Sequence, residues 1–176
     1  FPGQRISSLQ VIEKGRLLSL VGISAVGNLP VGIAERQKTA AEKILKRLPL
    51  DCPLTVDIVQ APGAGKGTVF FLVAEYENII AGFSSLGERG KRAEDVAAEA
   101  CVLFKVHFFS KGALDPYLSD QIIIYLALSR DESVFTTSKI TNHLLTNIWC
   151  VKKFLPLDIR VIGEVGSIGE VIIKPL

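Results

Sequence analysis

Methionine is missing altogether from these 176 residues, tryptophan occurs once, histidine twice and cysteine three times. Cys52, Cys101 and Cys150 are odd in number and widely spaced, which excludes a disulfide framework and a cysteine metal cluster; reduced thiols in an intracellular protein are the expectation. A charge excess of one sign is also lacking. Twenty Lys+Arg against 18 Asp+Glu leave a formal +2, too balanced to argue for nucleic acid by itself. No unbroken apolar run is long enough for a membrane. The uncharged stretch Leu17 to Ala34 is interrupted by Gly22, Gly27, Asn28 and Pro30 and diluted by Ser19 and Ser24, so it reads as strand, turn and helix start, and no membrane partner is expected. The opening Phe1-Pro2-Gly3 has neither an initiator methionine nor a basic leader, so the chain is expected to be a piece of a longer protein without a signal peptide.

What is present is ordinary globular material. Hydrophobic residues make up 48% and charged residues 22%, enough apolar surface to offset chain entropy and exclude disorder. Residues 16–24 read as a strand. Helix 31–48 follows, with Ile33, Ala40, Ala41, Ile44, Leu45 and Leu48 on one face, Arg36, Lys43 and Arg47 on the other, and a stop at Cys52-Pro53. Strands are expected at Leu54–Val59, Thr68–Tyr76 and Asn78–Ser84, then a helix from Lys91 to Ser110 closed by Gly112. This makes β-α-β-β-(β)-α over 15–112, a two-layer α/β unit. Beyond it come a helix from Pro116 to Ser129, a strand Val134–Thr137, a helix from a Ser138 cap to Phe154, and a hairpin of Ile159–Val165 and Glu170–Lys174 through 166–169.

Residues 61–68, Ala-Pro-Gly-Ala-Gly-Lys-Gly-Thr, look like the phosphate loop of a nucleoside monophosphate kinase. That chemistry needs backbone N–H groups delivered into a helix N-terminus. Gln60 stands where the first glycine should be, and Thr68-Val69-Phe70-Phe71-Leu72-Val73 continues as strand, so a glycine-rich hairpin loop is the better reading, with Lys66 at most a point charge for a phosphate.

His107 sits in Phe104-Lys105-Val106-His107-Phe108-Phe109 and reads as a core histidine. His143 differs. With Ile140, Leu144, Ile148, Val151 and Leu155 as the apolar stripe of its helix, His143, Thr146 and Asn147 share a polar face at i, i+3 and i+4. The preceding helix repeats the pattern: Tyr117, Asp120 and Gln121 stand opposite Leu118, Ile122, Tyr125 and Leu126. A ring to stack, an amide to read a base edge and a carboxylate to orient a histidine suit a nucleotide pocket. Spacing alone is equally compatible with ordinary solvated helix faces.

Four segments in order resemble the RNA 3′-terminal phosphate cyclases: Asn28-Leu29-Pro30 with Ala34-Glu35-Arg36; Ser85-Leu86-Gly87-Glu88-Arg89-Gly90-Lys91-Arg92-Ala93-Glu94-Asp95-Val96-Ala97; Tyr117-Leu118-Ser119-Asp120-Gln121; and His143-Leu144-Leu145-Thr146-Asn147-Ile148. The resemblance implies an α/β (α+β) protein in which 15–112 is a small inserted domain, while 1–14 and 113–176 belong to a large domain of repeated β-α-β-α-β-β units. It implies a cytoplasmic, ligase-type enzyme that uses ATP and a divalent metal, Mg or Mn, to convert an RNA 3′-phosphate into a 2′,3′-cyclic phosphodiester through a histidine–AMP intermediate and an RNA-adenylate. On this resemblance the nucleophile falls on His143 and nucleotide binding on Tyr117, Leu118, Ser119, Asp120 and Gln121. Arg89, Lys91 and Arg92 are candidate RNA-phosphate contacts, since a helix start normally favours acidic residues. The family's acidic, arginine, glutamine and glycine-rich elements from the preceding half do not map here, so the 176 residues alone are expected to be inactive. The alternative is a non-catalytic cyclase-like factor binding RNA in ribosomal RNA processing; such relatives lack the histidine, and His143 is present.

Overall fold

The computed structural model describes residues 6–175; the Phe1-Pro2-Gly3 opening lies outside the described residues. The elements run β1 (Gln10–Val11), β2 (Leu17–Gly27), α1 (Gly32–Leu45), β3 (Leu54–Gln60), β4 (Gly67–Tyr76), β5 (Ile80–Leu86), α2 (Ala93–Phe109), α3 (Pro116–Gln121), α4 (Ile123–Leu126), β6 (Ser133–Thr137), α5 (Asn142–Phe154), β7 (Leu157–Ile162) and β8 (Gly169–Pro175). The protein is mixed α/β with two four-stranded sheets, and its chain divides into two compact units: 15–109, and 6–14 with 110–175. No helix among the described residues is long and apolar enough to cross a membrane.

In the 15–109 unit the strand order is β3-β2-β4-β5, with β2 and β3 parallel and the other pairs antiparallel. Alternation along β2 buries Leu20, Gly22, Ser24 and Val26 on one face. That face and the inward residues of β4 and β5, Phe70, Leu72, Ala74 and Phe83, form one core with Ala41 and Leu45 of α1 and Val96, Ala97, Ala100 and Phe104 of α2. His107 is part of it, buried against the rings of Tyr76 and Phe83 as a core histidine. A polar network crosses this core. Ser24 Oγ donates to Gln37 Oε1 at 2.7 Å, Gln37 Nε2 to Thr68 Oγ1 at 2.9 Å, and Thr68 Oγ1 to the Ala25 carbonyl at 2.8 Å. With Ser24 and Gln37 fully buried, Thr68 half-buried and all three satisfied, these groups fix α1 on the sheet.

Several expectations shift. The segment 61–66 is not a hairpin loop: β3 and β4 lie on either side of β2, so it crosses the end of β2, where a Cβ on Gly27 would meet the Ala61 carbonyl at 2.8 Å. Helix α1 ends at Leu45 with tight turns through Leu48, before Pro49 and short of Cys52-Pro53, because Pro49 disfavours helical backbone at the residue before it. Helix α2 starts at Ala93, so Arg89, Lys91 and Arg92 precede it, and its first turn carries Glu94 and Asp95 as the helix dipole favours.

In the second unit the sheet order is β1-β6-β8-β7, β1 parallel to β6 and the rest antiparallel. Its core gathers Ile123, Leu126, Phe135, Ile140, Leu144, Val171 and Ile173. The expected Pro116–Ser129 helix is broken into α3 and α4, and i→i+3 bonds from Tyr125, Leu128 and Ser129 tighten the end; three consecutive β-branched residues, Ile122 to Ile124, crowd the preceding turn there. Tyr125 is exposed, and Ile123 takes the core place assigned to it. The cap of α5 is Thr141, whose Oγ1 accepts from Leu144 N at 3.1 Å, rather than Ser138. Strand β7 begins at Leu157 and stops at Ile162, because Gly163 takes φ 127°, so the turn occupies 163–168. Gly112 does not close α2: it lies past Phe109, and a Cβ there would meet Ser138 N at 2.3 Å, so it is glycine for close backbone approach.

Candidate functional site

The two polar helical faces meet. Asp115 caps α3, its Oδ1 accepting from Tyr117 N at 2.8 Å and Leu118 N at 3.0 Å, with Pro116 pre-set for the first turn. The same stretch is stitched to the end of β6: Leu114 N donates to the Thr136 carbonyl at 2.9 Å, and Ser138 N to the Leu114 carbonyl at 2.8 Å. Helix α5 starts just beyond β6. Its start therefore stands beside α3, and Asn147 Nδ2 donates to the Asp120 carbonyl at 3.0 Å.

His143 lies in the first turn of α5 and is exposed, as are Thr146 and Asn147. Asp120 is half-buried. Partial burial pushes its carboxyl above the ordinary value, the neighbouring His143 imidazole pulls it back, and Asp115 adds to the rise. Asp120 thus senses the charge of exposed His143, with no hydrogen bond or ion pair between the two side chains among the described residues. Of the first-turn N–H groups of α5, that of Leu144 is taken by the Thr141 cap, which leaves those of Asn142 and His143, and the helix dipole adds positive potential where His143 stands.

The segment 117–121 does not act as one block. Tyr117 and Gln121 are exposed and Leu118 is half-buried. Ser119 is fully buried: its Oγ donates to the Asp115 carbonyl at 2.6 Å and sits 2.7 Å from Thr137 Oγ1. Its hydroxyl is committed to holding α3 on β6. Among the described residues no group of three or more His, Cys, Asp or Glu side chains is placed to hold a metal ion.

Arg89, Lys91 and Arg92 are in the other unit. Lys91 Nζ pairs with Glu99 and donates to the Leu86 carbonyl at 3.1 Å, and Arg92 Nε lies 3.7 Å from Glu94 Oε2. Arg89 has no such pair among the described residues. The structural roles of three positions escaped sequence reasoning. Asp115 and Thr137 orient α3, and only the Asp-Pro dipeptide of a cap signals the first. Asn28, at φ 52°, holds the 61–66 crossing by donating through Nδ2 to the Gly63 carbonyl and, at 3.0 Å, to that of Gly65. An asparagine between strand and proline tolerates that backbone, which is the available signal.

Comparison with known proteins gives consistent matches. Residues 12–105 match the family model for the RNA 3′-terminal phosphate cyclase insert domain. The chain is similar to RNA 3′-terminal phosphate cyclases of Methylococcus capsulatus (40% identical over 164 residues, 92% of this chain and 45% of the relative), Saccharolobus solfataricus (37% over 158, 90% and 46%) and Methanopyrus kandleri (36% over 181, 99% and 51%). The chain spans about half the length of these curated relatives.

Proposed function

This chain belongs to the RNA 3′-terminal phosphate cyclase family, and from that membership we propose that it supplies the nucleophile and one wall of the nucleotide pocket of an ATP-dependent, ligase-type RNA-end cyclase. The observation that carries the reading is the placement of exposed His143 in the first turn of α5, a helix that Asn147 ties to the Asp120 carbonyl of α3 at 3.0 Å. A neutral imidazole nitrogen attacks the α-phosphorus of ATP; the N–P bond forms as the bond to pyrophosphate breaks. An oxygen of the RNA 3′-phosphate then takes the adenylyl group, and the N–P bond breaks. Finally the neighbouring 2′-hydroxyl attacks the activated phosphate, losing its proton and expelling AMP, which leaves a 2′,3′-cyclic phosphodiester.

The chain's own groups fit the first step. Asp120 lends negative potential near the imidazole, the Asn142 and His143 N–H groups at the start of α5 are donors for an anionic phosphate, and exposed Tyr117 and Gln121 are available to a base. Ser119 and Leu118 serve by holding α3 in place. The described residues build no metal cluster, so the divalent cation, Mg or Mn, is proposed to arrive with the triphosphate and no ligand is assigned to it. We assign the inserted domain to the expected 15–112, whose compact unit runs 15–109, and the remainder to the large domain, in the cytoplasm. The isolated 176 residues, about half of the relatives' length, are proposed not to adenylylate themselves robustly.

The test uses the full-length protein with ATP labelled in the α-phosphate, followed by a 3′-phosphorylated RNA. A labelled protein and a cyclic RNA end are expected. A protein that takes no label yet binds RNA would instead be the non-catalytic ribosomal RNA processing factor.

A further inference from the structure

A second concave site lies wholly inside the 15–109 unit. A cleft of about 620 Å³ opens between the start of α1, the first residues of β4 and the turn before α2, with Leu29 and Ile33 as its apolar wall. Its charged lining is cationic: Arg36, Lys66, Arg89, Lys91 and Arg92, against Glu88. Three of the cations are anchored. Arg36 donates through Nε and Nη2 to both carboxylate oxygens of Glu94 at 2.8 and 2.7 Å, while Lys91 and Arg92 pair with Glu99 and Glu94. Lys66 and Arg89 have no hydrogen bond or ion pair among the described residues, and both are exposed.

This arrangement does not suit a single nucleotide triphosphate. The glycine segment that carries Lys66 feeds β4 and not a helix, so it lacks the helix N-terminus a phosphate loop uses, and Gly87 N is already spent on the Thr68 carbonyl at 2.8 Å. The cations come instead from three separate segments: α1, the 61–66 crossing and the turn before α2. That suits a strand carrying a phosphate on each residue, with an apolar wall for a base or sugar. We infer that this cleft is a binding site for the sugar–phosphate backbone of an RNA strand, with Lys66 and Arg89 as its phosphate contacts. The inference rests on the RNA substrate proposed above and adds a site outside the unit that carries His143. It also gives a use to the glycine-rich 61–68 motif that the kinase-like reading left without one: Asn28 pins the segment by its Gly63 and Gly65 carbonyls, which sets where Lys66 emerges.

The experiment compares the full-length enzyme with its Lys66→Ala/Arg89→Ala variant, measuring the affinity for a 3′-phosphorylated RNA oligonucleotide across a salt series and, separately, self-adenylylation with ATP and no RNA. RNA affinity should fall on the order of tenfold, and the slope of log affinity against log salt should flatten by about 1.4, roughly 0.7 per lost single-strand contact. The protein–AMP adduct should form at the parental rate, and thermal melting should be unchanged because both side chains are exposed. Unchanged affinity and slope would overturn the proposal. So would a matching loss of adenylylation, which would assign the cleft to ATP. A parental enzyme that binds RNA yet makes no cyclic end would sink the cyclase reading while leaving the affinity comparison to judge the cleft.

Discussion

Asn147 Nδ2 reaches across from α5 to the main-chain carbonyl of Asp120 at 3.0 Å, so one side-chain amide ties the histidine-bearing helix to the carboxylate-bearing one. The bond is exposed, which puts its worth to stability in the lower part of the ordinary range of about 0.5–1.5 kcal/mol. Its worth to the site is the position it fixes. Asn147→Ala in the full-length enzyme should therefore lower denaturant stability by no more than about 1 kcal/mol while slowing adduct formation on the order of tenfold. Chemical denaturation beside an adenylylation time course reads both. A stability loss with no effect on the rate would show that the α3–α5 register is set elsewhere.

Asp120 makes a prediction about pH. Its carboxyl is raised above the ordinary value of 3.8, mainly by partial burial, so the folded protein holds this proton more tightly than the unfolded chain does. Between the ordinary and the raised value the native state binds more protons, and stability falls as pH rises through that window. At neutral pH the charged carboxylate is thus a cost to the fold, partly offset by the nearby His143 imidazole. Asp120→Asn should melt at or above the parental temperature at pH 7, with the difference vanishing below the ordinary carboxylate value, and adduct formation should drop. A variant that is less stable at pH 7 would contradict the burial argument.

How much of this was legible beforehand depended on whether each contact is local. Alternation in Leu17–Gly27 and in Thr68–Tyr76 declares strands because neighbours along the chain share the two faces of one sheet. Gln37 is different. It stands on the apolar face of α1 between Ile33 and Ala41, where its polarity counts against the pattern, and its burial becomes tolerable only once Ser24 and Thr68 arrive from two other strands. Strand β1 has two residues and exists only through its pairing with β6, far along the chain. The crossing at 61–66 looked like a hairpin because nothing local records that β2 lies between β3 and β4. The site divides in the same way: i, i+3, i+4 spacing marks the polar faces holding His143 and Asp120, whereas their meeting depends on Leu114, Thr136 and Ser138, which carry no functional signature.

Gly87 sits at the mouth of the basic cleft, and a Cβ there would fall 2.3 Å from Thr68 Cγ2. Thr68 has no freedom to withdraw, since its hydroxyl is held by Gln37 and the Ala25 carbonyl. Gly87→Ala should therefore destabilise by about 1–3 kcal/mol, the usual cost of overpacking, and disturb the buried network with it. Gly90→Ala is the contrast: nothing lies within 4 Å of its Cβ, but φ +89° strains any L side chain, so it should cost about 1 kcal/mol through the backbone alone. Denaturation midpoints of the two variants separate steric from conformational cost. Equal, negligible losses would mean the turn before α2 repacks freely.

His143 carries the sharpest expectation. It is the one exposed histidine, the other, His107, being buried against Tyr76 and Phe83 in the core of the other unit and out of reach of any nucleotide. A phosphoramidate on imidazole passes its adenylyl group onward readily, where an ester on serine or threonine would not. His143→Ala or His143→Asn in the full-length enzyme should abolish the protein–AMP adduct and the cyclisation of 3′-phosphate RNA, and the parental adduct should be acid-labile and base-stable, as phosphoramidates are. The variants should fold normally, because the side chain is exposed and the cap of α5 is made by Thr141. An RNA already adenylylated at its 3′-phosphate should still cyclise on them, since attack by the 2′-hydroxyl does not use the imidazole as nucleophile. That separates loss of the nucleophile from loss of the pocket: a ruined pocket fails both reactions, a missing nucleophile only the first. Undiminished adduct in His143→Ala would place the nucleophile on another residue and remove the basis for pairing Asp120 with it.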